Sequence, residues 1–154
     1  MEITVRKAGT DDLDAIKGIG KEYWETSLDY REELDRDDSV LLVAETHKGC
    51  IATITGYAVM RIHTWNRSGY ILELAASSGW KKNGIGKALL DEIRKFCTRN
   101  GLRTVIIETQ PGNREANEFY EAMGLRICGY NDRYYTNAPE NAMDTALFYS
   151  MDIS

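Results

Sequence analysis

The chain has 154 residues, 43% apolar and 28% charged, which allows one domain with its own core. No apolar run reaches the ~18 residues of a membrane span and no basic-then-apolar leader opens the sequence, so a cytoplasmic protein without membrane contact is expected. A net charge of −5 argues against broad electrostatic binding of nucleic acid, and Cys50, Cys97 and Cys128 are too scattered for a disulfide framework or a zinc site.

With two prolines, no repeat and no low-complexity tract, residues 1–154 read as a single domain. Ile3 to Arg6 reads as a first strand. Thr10-Asp11-Asp12 starts a helix whose Leu13, Ile16 and Ile19 form one stripe, broken at Gly20. Lys21 to Glu33 is expected to be a second, acidic helix carrying Tyr23, Trp24 and Leu28. The β-branched runs Val40 to Ala44 and Ile51 to Ile62 read as strands joined by a turn at Lys48-Gly49, and Tyr70 to Ala76 as a third long strand. Ile85, Ala88, Leu89, Ile93, Phe96 and Cys97 carry helical spacing from Gly84 to Arg99, and Asn100-Gly101 ends that helix. Val105 to Thr109 is a compact strand, Asn113 to Met123 a helix closed by Gly124, and Leu125 to Tyr130 and Ala146 to Ile153 are final strands. Strands alternating with helices imply a mixed α/β sheet covered by helices.

Charge is unevenly spread. Lys81, Lys82, Lys87, Arg94, Lys95, Arg99 and Arg103 face only Asp91 and Glu92 between Trp80 and Arg103, whereas the first 39 residues are acid-rich. The turn Lys81-Lys82-Asn83-Gly84-Ile85-Gly86-Lys87 stands between a strand and a helix. Bare backbone at Gly84 and Gly86 would let a phosphate approach, with the helix N-terminus adding partial positive charge. No Gly-Lys-Ser/Thr is present to hold Mg²⁺, and the third glycine of a dinucleotide fingerprint is absent. A pyrophosphate bound without metal fits what remains.

The same turn, followed by Asn113-x-x-Ala116-x-x-Phe119-Tyr120-x-x-x-Gly124-Leu125, resembles the two sequence motifs of the GNAT superfamily of N-acetyltransferases. Lys81 stands where that family usually has Arg or Gln, and Ala75-Ala76-Ser77-Ser78 replaces its common Val-Asp-Pro entry. A narrower likeness, through Glu108-Thr109-Gln110, Cys128 to Asn131 and Ala146 to Tyr149, is to streptothricin acetyltransferases and ribosomal-protein alanine N-acetyltransferases. The resemblance implies the GNAT fold, a splayed mixed sheet of about seven strands flanked by about four helices. It also implies acetyl-CoA as co-substrate, and an amine of a small molecule or peptide as acceptor. Leu74, Ala75 and Ala76 would then pair with the pantetheine arm like an added strand. Lys81, Lys82, Asn83, Gly84, Ile85, Gly86 and Lys87 would enclose the pyrophosphate.

An alkyl ammonium with a pKa near ~10 must lose a proton before it attacks a thioester. Glu108, which matches the glutamate assigned as base in the alanine N-acetyltransferases, is the first candidate. Glu73, in the apolar run Ile71 to Leu74, is the second; strand alternation leaves open whether either faces solvent instead. By resemblance Tyr120 is the general acid for the departing sulfur. Asn113 caps its helix and either touches the cofactor or does not. Trp24, Glu25 and Asp29, with Tyr134 and Tyr135, would wall an acidic, aromatic acceptor mouth. His47 and His63 lack a second ligand at metal spacing. With no cysteine beside a plausible base, direct attack is expected rather than a covalent enzyme intermediate. A catalytically silent acyl-CoA-binding or sensor module on the same fold, and a nucleotide-binding protein using the same turn, are the rival readings. Oligomeric state is left open, a homodimer included.

Overall fold

Residues 1–25, 28–135 and 144–153 are described by the computed structural model. Alternating β-branched and aromatic runs build seven strands: β1 Glu2–Lys7, β2 Ser39–Lys48, β3 Ile51–His63, β4 Ser68–Ala76, β5 Thr104–Thr109, β6 Arg126–Asn131 and β7 Ala146–Asp152. They form one sheet in the order β1-β2-β3-β4-β5-β7-β6. All neighbours are antiparallel except β4 and β5, which pair in parallel at only three rungs, Ser68↔Thr104, Gly69↔Val105 and Tyr70↔Ile106. Beyond Tyr70 the two strands part, which gives the splayed mixed sheet the resemblance implies.

Helices α1 (Leu13–Gly20) and α2 (Tyr30–Asp35) cover one face; α3 (Ile85–Arg99) and α4 (Arg114–Ala122) cover the other. The α3 stripe of Ile85, Leu89, Leu90, Ile93 and Cys97 is fully buried against Leu42, Ala58, Met60 and Ile71. At about 25 cal/mol per Å² of apolar surface, each of its isoleucines and leucines contributes roughly 1.5–3 kcal/mol. Gly56 sets how closely α3 can approach, since a Cβ there would stand 2.4 Å from Ile85 Cγ2. Across the sheet, Ile16 and Ile19 pack with Tyr30, Val43, Tyr57 and Val59.

A bulge distinguishes β4. Val59 pairs with Glu73 and Met60 with Ile71, so Leu72 is the extra residue, and Leu72 and Glu73 both serve the α1/α2 face.

One expected element is corrected. Lys21 to Glu33 is not a continuous helix: Lys21 to Tyr23 form a turn after α1, and the helix begins only at Tyr30. Asp29 accepts the Glu32 amide at 3.1 Å, which starts the helix there instead of letting it run through. The strand Val40 to Ala44 also extends to Lys48, because both β1 and β3 pair with its polar end. Among the described residues no helix is long and apolar enough to cross a membrane.

Candidate active site

Two of the four helices begin with a side-chain cap. Asp29 caps α2, and Asn113 caps α4 by accepting the Ala116 amide at 3.2 Å. The third, α3, begins differently. Its N-cap is Gly84, held left-handed at φ 85°, with no side-chain cap and no acidic residue in the first turn. The leading amides of a 15-residue helix therefore point outward with their dipole uncompensated. Lys82 is also left-handed, at φ 64°, an uncommon conformation for a side-chain-bearing residue. Asn83 braces the turn by donating to the Lys81 carbonyl at 3.0 Å. Lys81 reaches Glu115 at 3.4 Å and lies over the Tyr23 ring, and Lys87 pairs with Asp91 at 2.7 Å. Among the described residues Lys82 has no ion-pair partner. The turn thus presents amides and a cation together, a donor set suited to a diphosphate.

Gly86 has a second reason to be bare: a Cβ there would sit 2.9 Å from Phe119 Cζ. The first motif therefore packs directly on the second.

The parting of β4 and β5 opens beside this turn's strand. Leu74 and Ala76 turn toward the α3 side, and Ala75 toward α1. The Ala76 carbonyl accepts a hydrogen bond from the Tyr23 hydroxyl, and Glu22 accepts the Ser78 amide at 2.8 Å. The segment after α1 is thereby tied to the end of β4.

Glu108 lies near the free end of β5, half-buried. Burial pushes its carboxyl above the usual range, while a hydrogen bond from the Tyr70 hydroxyl to Oε2 works against that rise. Tyr70 was not singled out from sequence; it is 38 residues from Glu108 and meets it only because β4 and β5 pair in parallel. Its hydroxyl also lies 2.6 Å from that of Tyr134.

Tyr120 of α4 is 7% exposed, and its hydroxyl finds no hydrogen-bond partner among the described residues. Burial, with Glu108 close enough to add to the effect, raises its pKa above the ordinary phenol value, so it carries its proton at neutral pH. Its ring tilts against Tyr149 at 5.2 Å between centroids. Tyr149 in turn donates to Asn117, whose amide group ties down the Gln110, Pro111 and Asn113 carbonyls. Backbone bonds from the Asn113 amide to the Gln110 carbonyl and from the Arg114 amide to the Gly112 carbonyl brace the same loop from β5 into α4.

Glu73 is placed otherwise. It is 6% exposed, and its Oε1 accepts from Tyr30 and Tyr57, each at 2.6 Å. Trp24 packs into the cluster around Ile16 and Tyr57, Asp29 is the α2 cap, and Glu25 is exposed. Tyr134 and Tyr135 stand edge to face at 5.1 Å, both amides donating to the Asp144 carbonyl. Burial and the Glu108 charge raise the Tyr135 pKa. Among the described residues no cluster of three or more His, Cys, Asp or Glu could hold a metal.

An uncapped helix N-terminus, a parted strand pair, and a carboxylate and phenol beside it make up the candidate site. The sequence pattern of the Acetyltransferase (GNAT) family matches residues 11–125, most of the chain, and the protein belongs to that family. Over 83 residues it is 28% identical to the [ribosomal protein bS18]-alanine N-acetyltransferase of Escherichia coli (strain K12), covering 53% of this chain and 56% of that protein. Over 85 residues it is 29% identical to streptothricin acetyltransferase A of Bacillus subtilis (strain 168), covering 55% and 49%. The chain thus spans about half the length of these two relatives, and about a third of human N-acetylaspartate synthetase. A Bacillus anthracis str. Ames protein solved in complex with acetyl coenzyme A shares the fold, with TM-score 0.82 at 20% identity, covering 98% of this chain and 99% of that one.

Proposed function

We propose that the protein transfers an acetyl group from acetyl-CoA to a primary amine of a small molecule or peptide, by direct attack of the amine. The carrying observation is the pair Glu108 and Tyr120, a carboxyl and a phenol both raised by burial where β4 and β5 part. Acetyl-CoA supplies the activated acetyl group. The α3 amides and Lys82 would hold its diphosphate, and the end of β4 would receive its extended arm.

At pH 7 roughly one alkyl amine in a thousand is neutral. Glu108 takes the ammonium proton, and its raised pKa brings it closer to the operating pH than an exposed carboxylate. Tyr120, protonated at neutral pH, gives its proton to the departing sulfur, and its phenolate takes the second nitrogen proton as the amide forms. Glu108 is preferred to Glu73 because Glu73 is only 6% exposed beneath α2, held by Tyr30 and Tyr57, whereas Glu108 stands half-buried where β4 and β5 part. Cys97 is buried in the core with its thiol raised to about 11, and Cys50 and Cys128 lie in the β2–β3 turn and in β6, so no cysteine accompanies Glu108. This supports direct transfer.

The test is release of free thiol from acetyl-CoA against polyamines, aminoglycosides, streptothricin and N-terminal peptides. Acceptor-dependent release with one class is expected. Cofactor binding by calorimetry with no release for any acceptor would instead mark a silent binding module.

A further inference from the structure

Tyr70 occupies the last rung that β4 shares with β5, one pair before the strands separate. Glu108 follows Ile106 by two residues, so both side chains emerge on the same face, and the Tyr70 hydroxyl donates to Glu108 Oε2. A phenol has one proton to give. Since Tyr70 gives it to the carboxylate, the 2.6 Å contact with Tyr134 must be a donation from Tyr134 to Tyr70.

We propose that Tyr134 and Tyr70 form a directed hydroxyl chain that fixes Oε2 of Glu108 and leaves Oε1 to meet the acceptor nitrogen. Tyr70 is thus a positioning residue, and Tyr134 acts only through it. The chain's geometry is held at both ends. His63 stacks on the Tyr70 ring at 6.4 Å and 12°, and Tyr134 is clasped edge-on by Phe148 of β7 and by Tyr135. Tyr70 remains a donor at any physiological pH, because burial and the neighbouring carboxylate raise its pKa well above the ordinary phenol value. Each donation in such a chain polarises the next, so losing the outer hydroxyl weakens the inner bond. The titratable groups facing Glu108 among the described residues are Tyr70 from β4, Tyr120 from α4, and Tyr134 and Tyr135 after β6; His63 lies against Tyr70, and β7 offers only Phe148.

The proposal rests on Glu108 being the base, and its test keeps the two apart. In protein carrying ¹³C-labelled glutamate, the Glu108 carboxyl, assigned by its loss in Glu108→Gln, is titrated in the wild type, Tyr70→Phe, Tyr134→Phe and the double variant. Tyr70→Phe is expected to raise the midpoint by about one pH unit, tenfold in the ionisation constant. Tyr134→Phe should raise it by less, and the double variant should match Tyr70→Phe alone. The acid limb of kcat/KM should shift by the same amounts, with KM for acetyl-CoA unchanged. An unmoved midpoint, or additive shifts in the double variant, overturns the chain. A midpoint that moves while the pH–rate profile stays still retains the chain and removes Glu108 as base. Tyr134 is 38% exposed, so Tyr134→Phe gives a reading even if Tyr70→Phe fails to fold.

Discussion

Gly86 and Phe119 are in contact across the α3–α4 interface, with no space for a β-carbon: one would stand 2.9 Å from Cζ and 3.3 Å from Cε1 of the ring. The two motifs legible in the sequence are therefore one packed unit, and the second glycine of the turn answers to the ring as well as to any phosphate.

Gly86→Ala is expected to destabilise the fold by about 1–3 kcal/mol, the usual cost of overpacking a tight contact. Adding Phe119→Leu should recover much of that loss. Thermal melts read the recovery, and acetyl-CoA calorimetry on the double variant reads the glycine's second duty. Restored stability with weak cofactor binding is the outcome expected if the phosphate also needs the bare backbone.

Lys82 holds a left-handed backbone that costs a non-glycine residue roughly 1 kcal/mol. Lys82→Gly should therefore raise the melting temperature while weakening acetyl-CoA binding. Gain in both would show that the side chain does not serve the cofactor.

Glu108→Gln is expected to lower kcat about 10²–10⁴-fold, the span of general acid–base contributions. Burial raises the Glu108 pKa, so the wild-type rate should fall as pH drops through a midpoint above the ~4.3 of a free glutamate. Tyr120→Phe should cut turnover while leaving cofactor affinity nearly intact. Both are read from steady-state kinetics across pH with calorimetry alongside.

Away from the cleft, Glu33 of α2 is 3% exposed and receives Arg61 of β3 on both oxygens, with Ser39 donating at 2.6 Å. Arg61 foremost, with Ser39 assisting, holds the Glu33 carboxyl below its ordinary value despite burial. A depressed carboxyl stabilises the fold fully above its unfolded pKa of ~4.3, and that support is lost as pH falls through the lower folded value. Urea midpoints should therefore decline below about pH 4.3 in the wild type, and less so in Glu33→Gln. At pH 7 the substitution should cost about 2 kcal/mol, less than the ~3–5 for a fully enclosed pair because Arg61 keeps a quarter of its side chain in water.

The sheet, the two long helices and the phosphate-type turn were readable because each rests on local signals: β-branched runs, helical spacing, and glycine or asparagine at the ends. Asn113 as a cap was equally legible. The segment from Lys21 misled because its acids and aromatics mimic a solvent-facing helix. The better signal was Asp29 followed three residues later by Glu32, a helix-start pattern. Tyr70 escaped because its partner is set by strand order, and a parallel pair with a helix between its strands leaves no mark in local sequence. The facing of Glu73 was likewise illegible, because the bulge at Leu72 breaks the alternation of β4 and turns it toward Tyr30 and Tyr57.

The short run of shared rungs between β4 and β5 leaves two inward-facing edges in the middle of a sheet, where most proteins keep none. An extended guest entering there is read by peptide groups, which every residue possesses, so its recognition survives wholesale side-chain replacement. Selectivity for the other reactant must then be written elsewhere, in segments free to diverge. Under the proposed function, that division of labour would let a chain keep this architecture at under 30% identity to relatives named for a ribosomal alanine and for streptothricin.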